Sequence, residues 1–260
     1  MGVLSSRDNP RVRRWIRLAR DPRLRRKERR ALIEGPHLLA AALQHRCKVL
    51  SILVTEEGAG DKEISALIAR SGLRPVLVAE SVFRQVVEAE NPPGVAAEIQ
   101  IPEPDGKEVL RTVFLEGVQD PSNVGAIVRS AAAFGVGRVI LDPACADPWS
   151  PRALRAGMGG HFGLQIRQTA DLAAEVEAFK GTVACTVPRG GVTLGEAPLN
   201  RSAAWIFGGE GRGLSDRIIG RADLRVTIPM AAGTESLNVA AAAAICLYEA
   251  FSRSHSGTEP

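Results

Sequence analysis

Three segments in the second half of the chain gather amide, guanidinium, carboxylate and hydroxyl groups among glycines: residues 115–129 (LEGVQDPSNVGAIVR), 206–215 (IFGGEGRGLS) and 226–249 (VTIPMAAGTESLNVAAAAAICLYE). In each, a short apolar run breaks into a Gly, Pro, Asn or Ser loop, and in two of them a helical pattern resumes. Polar groups placed this way lie at the ends of strands, where open α/β sheets bind ligands. Three such loops in one domain describe a built pocket. The residues for several common chemistries are scattered or missing. Cys47, Cys145, Cys185 and Cys246 stand far apart, as do His37, His45, His161 and His255. No nucleophile–base pair, disulfide framework or zinc site can be read from such spacing, and the histidines read as surface or partly buried residues. G-x-x-x-x-G-K-[ST] is absent, and Gly209-Glu210-Gly211-Arg212-Gly213 has the wrong spacing for a dinucleotide fingerprint. The glycines call for another ligand.

The elements that must position these groups form an α/β chain of one to two domains. Its 260 residues are 45% hydrophobic and 24% charged, the balance of a soluble globular protein. No signal-peptide pattern opens it, and its longest late apolar run, residues 239–248, is too short to span a bilayer. A cytoplasmic protein without a membrane segment is expected.

In the first hundred residues, basic helices precede an apolar helix over 36–45, and strands near 49–54, 75–78 and 95–99 alternate with helices near 62–70 and from 81. A Pro- and Gly-bearing stretch supplies a linker at 102–110. Alternation restarts with a strand at 112–115, a helix at 123–134 and a strand at 138–141. A helix begun by Ser150-Pro151 follows, then strands near 164–166, 182–186, 203–207 and 224–228 and a last helix at 237–252. The division expected is 1–101 as a basic arm and α/β domain, 111–254 as a second domain, and 255–260 as a frayed tail.

Charge is concentrated rather than spread. Residues 1–30 hold twelve Arg or Lys against three acids, a net +9 in a chain whose total is +4, so the remainder carries −5. Eleven of the twelve are Arg, whose planar fork suits phosphate oxygens. A solvated helix face is the rival explanation, since Val12, Trp15, Ile16 and Ala19 fall at helical spacing and need a charged back side. The shortage of acids favours a nucleic-acid partner, with Arg7, Arg11, Arg13, Arg14, Arg17, Arg25 and Arg26 as candidate contacts.

Together, the three segments resemble the three motifs of the SpoU (TrmH-like) RNA 2′-O-ribose methyltransferases of the SPOUT superfamily. Asn123 and Arg129 match the first motif. Gly208, Glu210, Gly213 and Leu214 match the second, and Ile228-Pro229-Met230 with Ser236 to Val239 match the third. The N-terminal half looks like the family's L30e-like RNA-binding domain, with Glu34-Gly35 before an apolar helix and Pro93-Gly94-Val95 before a strand. Ala240 departs from the Ser common at its place. The resemblance implies a catalytic domain with a deep trefoil knot, through which the last helix passes, and a homodimer with the active site at the subunit interface. The small-residue run 240–244 would allow close helix packing there.

The implied reaction carries the sulfonium methyl of S-adenosylmethionine to a ribose 2′-hydroxyl, with no task for a metal. Arg129 matches the family's catalytic arginine. A guanidinium is hard to deprotonate, so the physical expectation is that it grips phosphate and stabilises negative charge on the attacking oxygen. Asn123 orients the ribose or Arg129, or caps its helix, and both readings stand. Glu210 joins the active-site network. Ser236 and Asn238 join it too, with capping as the rival account. Cofactor contacts are expected from Gly208, Gly209, Gly213, Ile228 and Leu237, with Thr186, Val187 and Met230 nearby, the glycines allowing main chain to approach the ligand. The separate basic N-terminal domain points to ribosomal RNA. A transfer-RNA substrate, a base methyltransferase and an inactive RNA-binding protein of the same fold are the alternatives.

Overall fold

The computed structural model describes residues 2–103, 109–198 and 203–255. They fall into two compact units, one of residues 1–103 with 147–162 and one of 104–146 with 163–260. Most of the expected linker and the tail beyond residue 255 lie outside the described residues.

The first unit begins with α1 (Pro10–Arg20) and α2 (Pro22–Glu28), each started by proline at its first turn and capped by the side chain before it, Asn9 and Asp21. Then come β1 (Arg30–Glu34), α3 (Pro36–Gln44), β2 (Val49–Val54), α4 (Glu56–Gly60), α5 (Lys62–Ser71), β3 (Val76–Leu77), α6 (Glu80–Val86) and β4 (Val95–Gln100). The sheet order is β1-β4-β2-β3, with β4 antiparallel to both neighbours and β2 parallel to β3. Strand β1 was not expected, because it follows a basic run that reads as helix to its end. Val12, Trp15 and Ala19 of α1 pack with Leu32, Leu53, Val82 and Phe83. Burying each large apolar side chain contributes about 1.5–3 kcal/mol. Leu18 completes the buried stripe of α1, while Ile16, expected in it, is only half-buried.

The rest of the chain forms β5 (Arg111–Glu116), α7 (Pro121–Ala133), β6 (Arg138–Leu141), α8 (Pro151–Gly157), β7 (Gln165–Gln168), α9 (Leu172–Glu177), β8 (Thr182–Thr186), β9 (Val192–Thr193), β10 (Ala203–Gly208), α10 (Asp216–Ile219), β11 (Leu224–Thr227) and α11 (Val239–His255). Helix α8, capped by Ser150, packs on β1 in the first unit, whereas the sequence groups it with the second domain. Two ion pairs hold its segment there: Arg25 Nε to Asp147 Oδ2 at 2.7 Å and Arg155 Nη1 to Glu34 Oε2 at 2.6 Å.

In the second unit seven strands form one sheet in the order β7-β6-β5-β10-β8-β11-β9, and every pairing is parallel. Phe114, Ile140, Val183, Ala204 and Ile206 fill the core with Leu172 and Val176 of α9 and Ile218 of α10. From β5 the chain moves outward through β6 and β7, then returns to build β8 to β11 on the other side. The β5/β10 boundary is therefore the switch point of the sheet, where such folds open a crevice at the strands' carboxyl ends.

Candidate active site

Strands β5 and β10 lie in parallel register with Gly208 opposite Glu116, so the loops that follow them leave the sheet side by side. After β5, Asp120 caps α7 by accepting from Ser122 N at 2.8 Å, and Pro121 takes the first turn. Asn123 therefore lies inside the helix and is not its cap. Its Nδ2 donates to Glu210 Oε1, and its Oδ1 accepts from Asn238 Nδ2 at 3.1 Å. Asn238 Oδ1 in turn accepts from the N–H groups of Ala240 and Ala241 at 2.9 and 3.3 Å, capping α11. Asn238 thus starts the helix and is also hydrogen-bonded to Asn123. One amide, Asn123, joins residues 210 and 238 from the other two segments.

Arg129 is exposed two turns along α7, and among the described residues it has no hydrogen bond or ion pair. Ser236 is exposed on the loop before α11 and is not brought into the Asn123–Glu210–Asn238 network.

The fold itself requires the glycines of the second segment. A Cβ on Gly208 would lie 2.4 Å from the carbonyl carbon of Gly213, and one on Gly209 would lie 1.8 Å from the carbonyl oxygen of Gly117. The closest approach at these positions is of main chain to main chain. Gly211 and Gly213, at φ of 87° and 64°, turn the loop back on itself in the left-handed region. Gly209 and Gly213 then form an isolated antiparallel bridge. Glu116 and Ser215, which the motifs do not include, meet across this loop: Ser215 N and Oγ donate to the two Glu116 carboxylate oxygens at 2.8 and 2.7 Å. Both are polar residues at the edges of segments already singled out, and that was the signal available for them.

Beyond the polar network, Thr186 ends β8 and Val187 follows it, and Ile228 and Met230 follow the neighbouring β11; all four are half-buried. Leu237 is 37% exposed. Thr227 Oγ1 donates to Val187 O and accepts from Gly191 N, both at 3.1 Å, and ties the two loops together. Residues 186–187 and 228–230 thus lie at the carboxyl ends of two neighbouring strands.

The N-terminal cations divide into two groups. Arg25 is 3% exposed; besides its pair with Asp147, its Nη1 donates to Leu18 O and Ala19 O at 2.6 and 2.7 Å. It is a structural group and is removed from the candidate RNA contacts. Arg14 is half-buried against Glu28 and Glu98, and Glu98 also accepts from Arg30 and from Trp15 Nε1. Arg7, Arg11, Arg13, Arg17 and Arg26 stay exposed, with Arg11 lying 5.2 Å over the Trp15 ring.

The scattered thiols and imidazoles lie outside the site. Burial pushes Cys47 up to about 11 and Cys246 to about 12, and raises Cys145 and Cys185 as well, so none is a thiolate near neutral pH. His161 is fully buried rather than at the surface, and burial lowers it to about 4, which keeps it neutral. Among the described residues no group of three His, Cys, Asp or Glu could hold a metal ion, and no helix is long and apolar enough to cross a membrane.

With this geometry in place, comparison with known proteins is specific. Residues 111–248 match the SpoU rRNA methylase family, and residues 9–97 match an MRM3-like substrate-binding domain. The chain is 32% identical to the 23S rRNA (guanosine(2553)-2′-O)-methyltransferase RlmP of Bacillus subtilis, over 95% of this chain and 98% of that one. Among solved structures, an RNA 2′-O ribose methyltransferase superposes with a TM-score of 0.82 at 30% identity, covering 97% of this chain and 99% of the other. The SpoU methyltransferase AviRb of Streptomyces viridochromogenes, in complex with AdoMet, superposes with a TM-score of 0.83 at 25% identity, covering 96% and 100%. The chain belongs to the SpoU rRNA methylase family, an α/β fold with a mostly parallel sheet and an N-terminal substrate-binding domain.

Proposed function

We propose that this protein transfers a methyl group from S-adenosylmethionine to a ribose 2′-hydroxyl of ribosomal RNA. The observation that carries the proposal is the junction of all three polar segments through Asn123, on the same helix as Arg129, which is exposed and has no partner among the described residues. RlmP, the rRNA enzyme, matches over both units of this chain, which favours ribosomal over transfer RNA.

The residues present fit the cofactor. Val187, Ile228, Met230 and Leu237 offer an apolar wall to a purine, while main chain near Thr186 and from Gly208 to Gly213 offers hydrogen bonds to its polar edges. When bound, the cofactor supplies a methyl group already activated on a sulfonium. The protein's task is then to hold the attacking oxygen in line and to stabilise its developing charge. Arg129 is suited to both, as a permanent cation that can grip the phosphate of the target nucleotide. Glu210, oriented by the Asn123 amide, accepts a hydrogen bond from the ribose, and Asn238 fixes Asn123 from the other side. Ser236, exposed beside Asn238, completes the polar rim.

The exposed face of α1, with Arg13 and Arg17 one turn apart and Arg7, Arg11 and Arg26 nearby in sequence, is the part of the first unit that takes RNA phosphates. Ala241, Ile245 and Tyr248 lie at helical spacing on the exposed side of α11, with Ile245 41% and Tyr248 57% exposed. This stripe supports a homodimer packed through α11. The same reading gives the second unit a trefoil knot, takes 111–254 as the catalytic domain, and puts the protein in the cytoplasm with its ribosomal substrate.

Incubation with methyl-labelled S-adenosylmethionine and ribosomal RNA, followed by alkaline hydrolysis, tests the proposal. Label should survive in a hydrolysis-resistant dinucleotide, because 2′-O-methylation protects the adjacent phosphodiester. Label released as a mononucleotide would indicate base methylation, and no binding of the cofactor would indicate an inactive RNA-binding protein.

A further inference from the structure

We propose that Glu116 is a positioning residue for methyl transfer: it clasps both ends of the Gly208–Ser215 loop and so holds Glu210 against Asn123. The inference rests on the active-site reading above. Its ground is a set of contacts made by one residue. The main-chain oxygen of Glu116 accepts from Gly209 N at 2.7 Å, closing the near end of the loop. Its carboxylate accepts from Ser215 N and Ser215 Oγ at 2.8 and 2.7 Å, closing the far end. Glu210 lies between these two points of attachment.

The loop needs such a clasp. Four of its eight residues are glycine, the residue that loses most conformational freedom when ordered. Beyond the Gly209–Gly213 bridge, the one hydrogen bond of the Glu210 side chain among the described residues is to Asn123. Charge-assisted hydrogen bonds, of the kind a carboxylate accepts, are the strong ones. Ser215 passes the restraint onward, since its Oγ also accepts from Ile218 N at 3.4 Å and caps the short helix α10. Neighbouring contacts brace Glu116 from the other side. Asp142 Oδ1 accepts from Gly117 N at 3.1 Å and from Cys145 N at 2.9 Å, fixing the loop that leaves β5. A carboxylate at the end of β5 is thus committed to the neighbouring loop.

The test compares Glu116→Ala, Glu116→Gln, Ser215→Ala and Ser215→Thr in the full-length protein. The readouts are kcat at saturating cofactor per cofactor-binding site, KM for ribosomal RNA, and thermal stability. A misplacement of about 1 Å can cost about 100-fold in rate, so Glu116→Ala is expected to lower kcat by roughly ten- to 100-fold with KM for RNA within about twofold. Glu116→Gln, which keeps one acceptor, should fall between it and the native protein. Ser215→Ala should lose less than Glu116→Ala, and Ser215→Thr, which restores the hydroxyl, should recover most of that loss.

A merely structural residue would lower the melting temperature and the number of binding sites while kcat per site stayed within about twofold of native. That result overturns the proposal, as does a Ser215→Thr rate no better than that of Ser215→Ala. If Glu116→Ala does not fold, the serine pair decides alone. Failure of the underlying reading is separately visible, because then the native protein itself forms no 2′-O-methylated product.

Discussion

Replacing Arg25 with alanine should unfold the protein more readily without weakening its electrostatic grip on RNA, although Arg25 lies in the most basic stretch of the chain. Its guanidinium makes three short hydrogen bonds, to Asp147, Leu18 O and Ala19 O, and is 3% exposed. Removing it leaves the Asp147 carboxylate, itself 13% exposed, without its cation, and strips two carbonyls near the end of α1 of their donor. Breaking a buried pair by deleting one partner costs about 3–5 kcal/mol. At about 2–4 °C per kcal/mol for a chain of this size, the melting temperature should fall by about 6–20 °C. Arg25→Lys should recover only part of this, because a point charge cannot reproduce the fork.

The contrasting variants are Arg13→Ala and Arg17→Ala. Both residues are exposed, and Arg17 has only a 3.8 Å solvent-exposed pair with Asp21. Their stability should change by no more than about 0.5 kcal/mol. If each meets one phosphate, the slope of log affinity against log salt should become shallower by about 0.7–0.9 per residue. Calorimetry and filter binding from about 50 to 200 mM salt measure both quantities. If Arg25→Ala melts with the native protein and flattens the salt dependence by about one, the division of the arginines by burial is wrong.

Other expectations follow from the same contacts. Arg129→Ala should abolish methyl transfer and leave cofactor affinity nearly unchanged by calorimetric titration; retained turnover would remove Arg129 from the mechanism. Gly209→Ala, whose Cβ would meet Gly117 O at 1.8 Å, should lose at least about 1–3 kcal/mol and most activity. Gly195→Ala, with nothing within 4 Å of its Cβ, should melt within a few degrees of the native protein in the same calorimetric series. Burial alone would raise the Glu98 pKa, but hydrogen bonds from Arg30, Arg14 and Trp15 outweigh it and hold the carboxyl below its usual value. A depressed folded pKa contributes stability that is complete above the unfolded value of about 4.3 and is lost as pH falls through the folded value. Glu98→Gln should therefore melt lower than native at neutral pH, and the gap should close in acid; a gap independent of pH would refute the assignment. Ile245→Asp should halve the mass seen in light scattering if α11 forms the dimer, and an unchanged mass would place the interface elsewhere.

What could be read in the sequence was mostly local. Proline after a capping side chain marks the start of α8, and apolar runs mark β2, β6 and β8 at their observed bounds. The polar network was legible because its members sit in motifs whose wording is distinctive. The losses came from relations between distant residues. Charge spacing gave no means of telling that Arg25 turns inward while Arg26 turns outward, because the deciding partner, Asp147, is 122 positions away. That the chain at 213 and 117 crowds the glycines at 208 and 209 is visible only in three dimensions. Capping stayed open as a reading of Asn123 because the true cap, Asp120, sits three residues earlier in a run where either would serve.

The passage of residues 147–162 into the first unit has a consequence for how the chain must be made. Its anchors, Asp147 for Arg25 and Arg155 for Glu34, are synthesised long after the residues they neutralise. A nascent chain ending near residue 103 would carry an inward-facing guanidinium and an inward-facing carboxylate, both waiting for counter-ions. The amino-terminal half thus cannot reach its final state ahead of the rest, and truncation at the apparent domain boundary should give a fragment that aggregates or is quickly degraded.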